Sequence, residues 1–234
     1  MFARLLLLLT LSAPPVSAEP FAVRFDMSLR GITGGQLALV AETGGGRYAV
    51  TGRAAGTGVV GALVRYAYEG RAEGRLGAAG PLPDSYTEVE IAGRDRSETR
   101  TRFAEGRPVA VRIVPMPPPA PWQIAPGAAG RAIDPLTALW DMLRPQAAVC
   151  DRSYDLFDGQ RVSRLVLAPA RPDPQGGTAC DARYTRIAGY SPEEMARRDG
   201  GRFTVHYQPT GDGRLAAAEL RARTSLGVAV LRRR

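Results

Sequence analysis

Apolar and polar residues alternate along much of this chain, and the alternation predicts a protein built mainly from β-strands. Residues 21–29 show it most clearly, because every second side chain in this stretch is large and apolar. A period of two residues is typical of a strand with one buried face. The glycine pair 34–35 then predicts a turn, residues 36–41 a second strand, and the glycine run 44–46 a turn into a third. The start of the chain therefore predicts a meander of hairpins.

Later segments continue the pattern, which predicts about eleven or twelve strands in the whole chain. Residues 59–69 predict a strand, either over the full length or preceded by a helical turn. Residues 85–92 and 94–103 predict a hairpin, and the many charges along 94–103 indicate an exposed or edge strand. The remaining predicted strands cover 109–114, 154–157, 162–167, 182–188, 203–207, 214–223 and 224–231.

One helix is well marked in the middle of the chain. Asp134 is a suitable N-cap, and Pro135 suits the first helical position. Apolar residues then recur at helical spacing, and they are Leu136, Leu139, Trp140 and Leu143. Because Pro145 ends this run, the pattern predicts a helix over 135–144 that packs against the sheet through one apolar stripe.

These elements predict the fold class, a mainly β protein in which a curved antiparallel sheet packs around one central helix as a half-barrel or open barrel. Residues 19–234 form a single domain in this prediction. Ser191 and Glu194 have the spacing of a capping box and predict a second, short helix. Six prolines within 115–126 predict an extended surface segment. This segment either crosses from the sheet to the helix or serves as a peptide-docking segment.

Residues 1–18 predict a cleavable signal peptide. Arg4 supplies a positive charge, residues 5–11 are apolar, and small residues precede a predicted cleavage between Ala18 and Glu19. The alternative is a membrane anchor, but the apolar run is shorter than the roughly 20 residues that a membrane span needs. The sequence therefore predicts export to the periplasm and a mature chain, 19–234, without a transmembrane segment.

Charge adds little to this prediction. The formal net charge is +8, and all 31 basic residues are arginine. Together with the many Ala, Gly and Pro residues, this usage is typical of a GC-rich codon bias. The arginines are scattered along predicted strands, so we expect no nucleic-acid partner. The run 232–234 is a solvated tail in this interpretation, with at most a weak attraction to anionic lipid or lipopolysaccharide.

The two cysteines predict a disulfide. An even count in an exported chain favours a bridge between Cys150 and Cys180. A redox pair is disfavoured because such cysteines are normally close in sequence. A metal site is disfavoured because His206 is the sole histidine that could add a ligand.

The sequence contains no recognisable set of catalytic, cofactor-binding or metal-binding residues. A nucleophile elbow of the type G-x-S-x-G is absent, and the glycine-rich stretches lack the spacing and the lysine of a phosphate loop. Asp151, Asp155 and Asp158 do not match a calcium loop. We therefore expect a protein without cofactors that is not an enzyme. A carboxylate pair for glycoside hydrolysis stays open, since such pairs meet only in the fold.

Short motifs across nearly the whole mature chain resemble those of the domain of unknown function 3108 family. The matching stretches are 21–29, 31–35, 36–39, 134–139, 157–161, 187–190 and 224–227. The resemblance implies an exported bacterial β protein, and it implies no catalytic residues.

The leading functional hypothesis is a non-catalytic envelope protein of the periplasm. It would bind an apolar or amphipathic, lipid-like ligand, or an envelope protein, in the concavity of the sheet. The oligomeric state is open. The alternative is an envelope hydrolase that uses paired carboxylates on polysaccharide or peptidoglycan.

Overall fold

The computed structural model describes residues 19–58, 61, 65–197 and 200–234. The predicted signal peptide lies outside these residues, and so does most of the first half of the predicted strand 59–69. Within the described residues, fourteen strands form one sheet in which every neighbouring pair is antiparallel. The mainly β prediction is therefore confirmed.

Seven strands precede the helix Pro135–Leu143 and seven follow it. The first seven are β1 (Glu19–Leu29), β2 (Ile32–Gly44), β3 (Arg47–Gly56), β4 (Tyr66–Gly77), β5 (Gly80–Ala92), β6 (Asp95–Ala104) and β7 (Arg107–Val114). The second seven are β8 (Arg152–Phe157), β9 (Val162–Leu167), β10 (Arg171–Pro172), β11 (Thr178–Ala188), β12 (Gly200–Pro209), β13 (Leu215–Thr224) and β14 (Gly227–Arg233). A 3-10 helix covers Pro126–Ala129, and the α-helices are α1 (Pro135–Leu143) and α2 (Pro192–Arg197).

The sheet nearly closes into a barrel. Its order runs from β7 through β1, then β14, to β8, so β7 and β8 are the two free edges. The segment just before α1 joins these edges. The Ala132 amide donates to the Gly106 carbonyl at 3.2 Å, and the Ile133 amide donates to the Asp155 carbonyl at 2.8 Å. This short segment, with no strand of its own, therefore bridges the seam of the barrel.

Helix α1 lies against strands from both halves of the sheet and is buried over most of its length. It contacts β3, β4 and β5 on one side and β8 and β13 on the other. Trp140, 1% exposed, stacks on Tyr48 with ring centroids 4.8 Å apart. Gly52 and Gly70 make room for Leu136, since a Cβ at either position would crowd its methyl groups. Glycines on two neighbouring strands thus leave the space in which this helix packs.

The first turn differs from the prediction. The chain reverses at Arg30 and Gly31, which have positive φ angles of 52° and 81°, while residues 34–35 lie inside β2. The reason for a glycine at 35 is proximity, because a Cβ there would lie 2.5 Å from the Met27 methyl group. The glycine pair therefore provides space between strands, and the predicted turn at 34–35 is wrong.

Residues 94–103 were predicted to form either an exposed strand or an edge strand, and the edge alternative is wrong. β6 pairs with β5 on one side and with β7 on the other. From Arg96 onward its charged residues occupy the outer face, while Thr99, Thr101 and Phe103 point inward and are buried. The alternation of charged residues with Thr and Phe thus indicates that one face of β6 is exposed to solvent. The edge strand of the sheet is the next one, β7.

The predicted disulfide is present. Cys150 and Cys180 are bonded, with Cα atoms 5.6 Å apart. The bridge ties the residue before the Asp151 turn to β11. Among the described helices, none is long and apolar enough to span a membrane.

Candidate functional site

A cleft of about 470 Å³ opens at the end of the barrel where the turns β4–β5 and β6–β7 lie. One wall is the β4–β5 turn, residues 77–82, whose Gly-Ala-Ala-Gly tip carries no large side chain. The other walls come from the C-terminal end of α1, from β8 and from the seam segment 131–133. The cleft is thus assembled from parts of the chain that are far apart in sequence.

A buried carboxylate organises the cleft. Asp141, 4% exposed, sits on α1 and accepts hydrogen bonds from Arg144 at 2.9 Å and from the Tyr154 hydroxyl at 2.9 Å. Arg152 on β8 adds a third contact at 3.2 Å. Burial, and next the negative charge of Asp141, raise the pKa of Tyr154, so the phenol stays protonated and serves as a donor. Two arginines therefore share one carboxylate, and the group keeps one positive charge in excess.

Arg152 makes further hydrogen bonds that fix its position. Both terminal nitrogens of Arg152 donate to the Gln146 side-chain oxygen at 3.1 Å, and one also donates to the Ala148 carbonyl at 2.5 Å. Gln146 is itself fixed, because its backbone exchanges two hydrogen bonds with Leu215 at 3.0 and 2.8 Å. This part of the wall is therefore rigid before any ligand arrives.

Arg131 differs from the other arginines of the cleft. It is exposed, its guanidinium lies near Gly106, and among the described residues it has no hydrogen bond or ion pair. Asp155, which also lines the cleft, is already paired with Arg164 at 2.6 Å. Arg131 is thus the cation with free donors in a cleft of positive balance.

A second group of polar residues lies inside the barrel wall. The hydroxyls of Tyr68 and Tyr86 are 3.0 Å apart, and Tyr86 donates to Glu88 through a short hydrogen bond. Burial raises the pKa of Glu88, and the nearby Asp158 raises it further. Burial also raises the pKa of Asp158, whose carboxylate accepts two backbone amides of the β8–β9 turn at 2.9 and 2.8 Å. These are two acids with raised pKa values, each engaged by local donors.

The helix N-cap is a further acid that is fully buried. Asp134 is 0% exposed and accepts hydrogen bonds from the Thr137 amide at 2.8 Å and the Thr137 hydroxyl at 2.7 Å. Since that hydroxyl proton is used, Tyr48 donates to the Thr137 oxygen, 3.0 Å away. Burial raises the pKa of Asp134 from 3.8 to about 6 despite these donors.

The single histidine has a partner that sequence reasoning missed. His206 Nδ1 lies 2.7 Å from the buried carboxylate of Asp173. The Gln175 amide and His206 together hold the pKa of Asp173 below its ordinary value. Asp173 closes a tight turn before β11, so the pair anchors this loop on the outer side of β12.

The apolar helix residues singled out in the sequence lie in the core or pack against it, and they do not line the cleft. Leu136, Trp140 and Leu143 are each 1% exposed, and Leu139 packs against the same cluster. The cleft residues were missed, although one signal existed. Asp141 is a charged residue within the apolar stretch Leu-Trp-Asp-Met-Leu, and a buried charge of this kind needs a partner.

Comparisons with known proteins give a weak structural similarity. No family model matches this chain, and no curated protein matches it. Among solved structures, the chain is similar to the crystal structure of a β-barrel-like protein of domain of unknown function DUF1849 from Brucella abortus. The two share 10% identity with a TM-score of 0.44, and the alignment covers 94% of this chain and 97% of that chain. The resemblance to the 3108 family stays a prediction.

Proposed function

We propose that this protein is a non-catalytic binding protein of the bacterial envelope, and that its ligand is an amphipathic anion held in the end cleft. The observation that carries the proposal is Arg131. It is an exposed cation with free donors, and it lines the same cleft as a rigid group that already holds one positive charge in excess. A carboxylate or phosphate binds well to such a site, because hydrogen bonds between charged groups are about twice as strong as neutral ones.

The apolar part of the ligand has a surface to lie on. Ala78, Ala79, Pro81, Leu82 and Ile133 line the same cleft. An amphipathic ligand would place its chain along these residues and its anionic group toward Arg131.

The concavity of the sheet is a less suitable place for the ligand. We propose that α1 is the central element around which the sheet wraps. Support comes from its contacts with strands of both halves and from its buried side chains, such as Trp140 and Leu136. A helix in this place fills the space that the sequence-based hypothesis gave to the ligand, so the end cleft takes that role.

The binding test uses dodecanoate carrying a fluorescent group. We expect it to bind the purified protein, and we expect Arg131→Ala to weaken binding by about 10-fold, which matches the loss of one charged hydrogen bond. Arg112→Ala is the matched control, since Arg112 is an exposed arginine on the outside of β7. Equal affinity of the wild type and Arg131→Ala, or equal binding of uncharged dodecanol, would contradict the proposal.

An envelope hydrolase is the second candidate, and one observation favours it. Glu88 and Asp158 are partly buried acids whose pKa values are both raised by burial, and the charge of Asp158 raises that of Glu88 further, as one acid of a glycosidase pair requires. If they act in catalysis, the protein releases reducing ends from purified peptidoglycan and Glu88→Gln abolishes this release. Activity that is absent from the wild type, or unchanged in Glu88→Gln, removes this candidate.

The proposed compartment has its own test. Protein recovered from the periplasmic fraction should begin at Glu19, and its intact mass shows this directly. A periplasmic chain that still begins at Met1 would contradict the predicted cleavage.

A further inference from the structure

A row of arginines crosses the outer face of the sheet at the end opposite the cleft. Arg183 on β11 lies directly across from Arg202 on β12. The alternation of each strand places both side chains outward, since their neighbours Ala182 and Phe203 pack toward the core. Arg223 follows on β13, because the register pairs Phe203 with Ala222 and leaves the next outward positions side by side. Three adjacent strands thus carry an outward arginine at the same level.

Two hairpin tips continue this row. The Arg30 amide donates to the Val228 carbonyl at 2.9 Å, which places the β1–β2 turn beside the β13–β14 turn. The Arg30 side chain also donates to the Leu226 carbonyl through a short hydrogen bond. Ile32 and Leu226 are 66% and 64% exposed at these tips. Large apolar side chains therefore stand next to the arginine row.

Among the described residues, the arginines of the row have no ion-pair partner, unlike their neighbours. Arg221 on β13 and Arg232 on β14, on the same face of the sheet, both bind Glu219, at 2.7 and 2.8 Å. Arg183, Arg202 and Arg223 are exposed, and none has an ion pair with any residue that the structure describes. Like charges directly opposite each other on neighbouring strands destabilise a sheet. An anionic surface outside the protein would remove this cost.

We propose that this arginine face, made of Arg30, Arg183, Arg202 and Arg223 with the apolar tips Ile32 and Leu226, docks on an anionic lipid bilayer. Adjacent strands lie about 4.8 Å apart, so four arginines from β11 to β1 span roughly 20 Å. This length exceeds one phosphate group and matches several lipid headgroups. The apolar tips favour a bilayer over nucleic acid, because they enter the boundary between headgroups and acyl chains. The site is separate from the cleft, so either proposal can fail alone.

The test measures co-sedimentation of the purified protein with vesicles. We expect binding to vesicles of equal parts phosphatidylglycerol and phosphatidylcholine, little binding to phosphatidylcholine alone, and weaker binding as salt rises. The double variant R202Q/R223Q should bind about 30-fold less tightly, as expected for two basic residues near an anionic surface. Both substitutions are exposed, and circular dichroism confirms that the variant folds.

The control variant R102Q/R112Q removes the same charge from exposed positions on β6 and β7. It should bind vesicles like the wild type, while Ile32→Ser should lose the binding that persists at high salt. Equal losses in the two double variants would show a response to net charge alone and overturn the proposal. Absence of binding to the anionic vesicles would also overturn it. Tighter binding to a short DNA duplex that R202Q/R223Q abolishes would assign the face to nucleic acid instead.

Discussion

Replacement of Asp134 by Asn makes a sharp test of the buried N-cap. Asn keeps the capping geometry, since it is as good an N-cap as Asp, but it cannot ionise. Asp134 is 0% exposed, and burial is the largest influence on its pKa, which rises from 3.8 to about 6. The folded protein therefore holds a proton on Asp134 at pH values where the unfolded chain has released it.

The sign and size of the effect follow from linkage. Below about pH 4 the carboxyl is protonated in both states, so the raised pKa costs nothing. As the pH rises through about 6, the folded state must ionise a buried group, and stability is lost. The rise in pKa corresponds to about 3 kcal/mol, because a tenfold change in an ionisation constant is worth about 1.4 kcal/mol. Relative to the wild type, the free energy of unfolding of Asp134→Asn should therefore rise by about 3 kcal/mol as the pH goes from about 4 to about 6.

The assay is urea unfolding of both proteins, followed by circular dichroism at a series of pH values from about 4 to about 8. The difference between the two free energies of unfolding isolates Asp134, since Glu88, Asp158 and other titrating groups are present in both proteins. A difference that stays flat over this range would refute the reasoning. A difference that changes in the other direction would mean that the Thr137 donors outweigh burial.

Two further changes test the covalent and apolar parts of the fold. Replacing both Cys150 and Cys180 by Ser should lower the free energy of unfolding by roughly 3–4 kcal/mol, since a loop of about 30 residues is no longer closed, and the melting temperature by about 10 °C. The chain should still fold. If wild-type protein that is denatured without reductant shows two reactive thiols, the bridge is contradicted. Trp140→Ala should cost about 3–5 kcal/mol in urea unfolding. Trp122→Ala, at a 41% exposed position, should stay within about 0.5 kcal/mol, and similar losses in both would contradict the assigned core.

The strands that the sequence predicts well are those whose inward residues are large. In β1 and β12 the buried positions hold Phe, Val and Tyr, so a local pattern suffices. Most of β4 was missed because its inward residues after Tyr68 are Gly70, Ala72 and Gly74. These are small because Leu136 and other side chains occupy the space above them. The requirement comes from the opposite side of the core, and a local pattern cannot report it.

The cleft could not be predicted for a related reason. Asp141 and Arg152 are near in sequence, but the glycine-tipped turn at 77–82 and Arg131 reach them only because the barrel brings its two edges together. The sequence marks a charged residue inside an apolar helix. It does not say which residues surround that charge.

The pairing of β1 with β14 has a consequence for how this protein reaches its final form. Asp26 lies opposite Arg232, and the Arg234 side chain contacts Asp26 at 2.7 Å. β1 is synthesised long before β14 and therefore waits for it before both of its edges are paired. Until then, the first seven strands expose an unpaired edge at β1, where another chain can add. In sequence, β1 and β14 are separated by most of the residues that the structure describes. So long a separation favours slow folding, and the unpaired edge of β1 needs protection during synthesis.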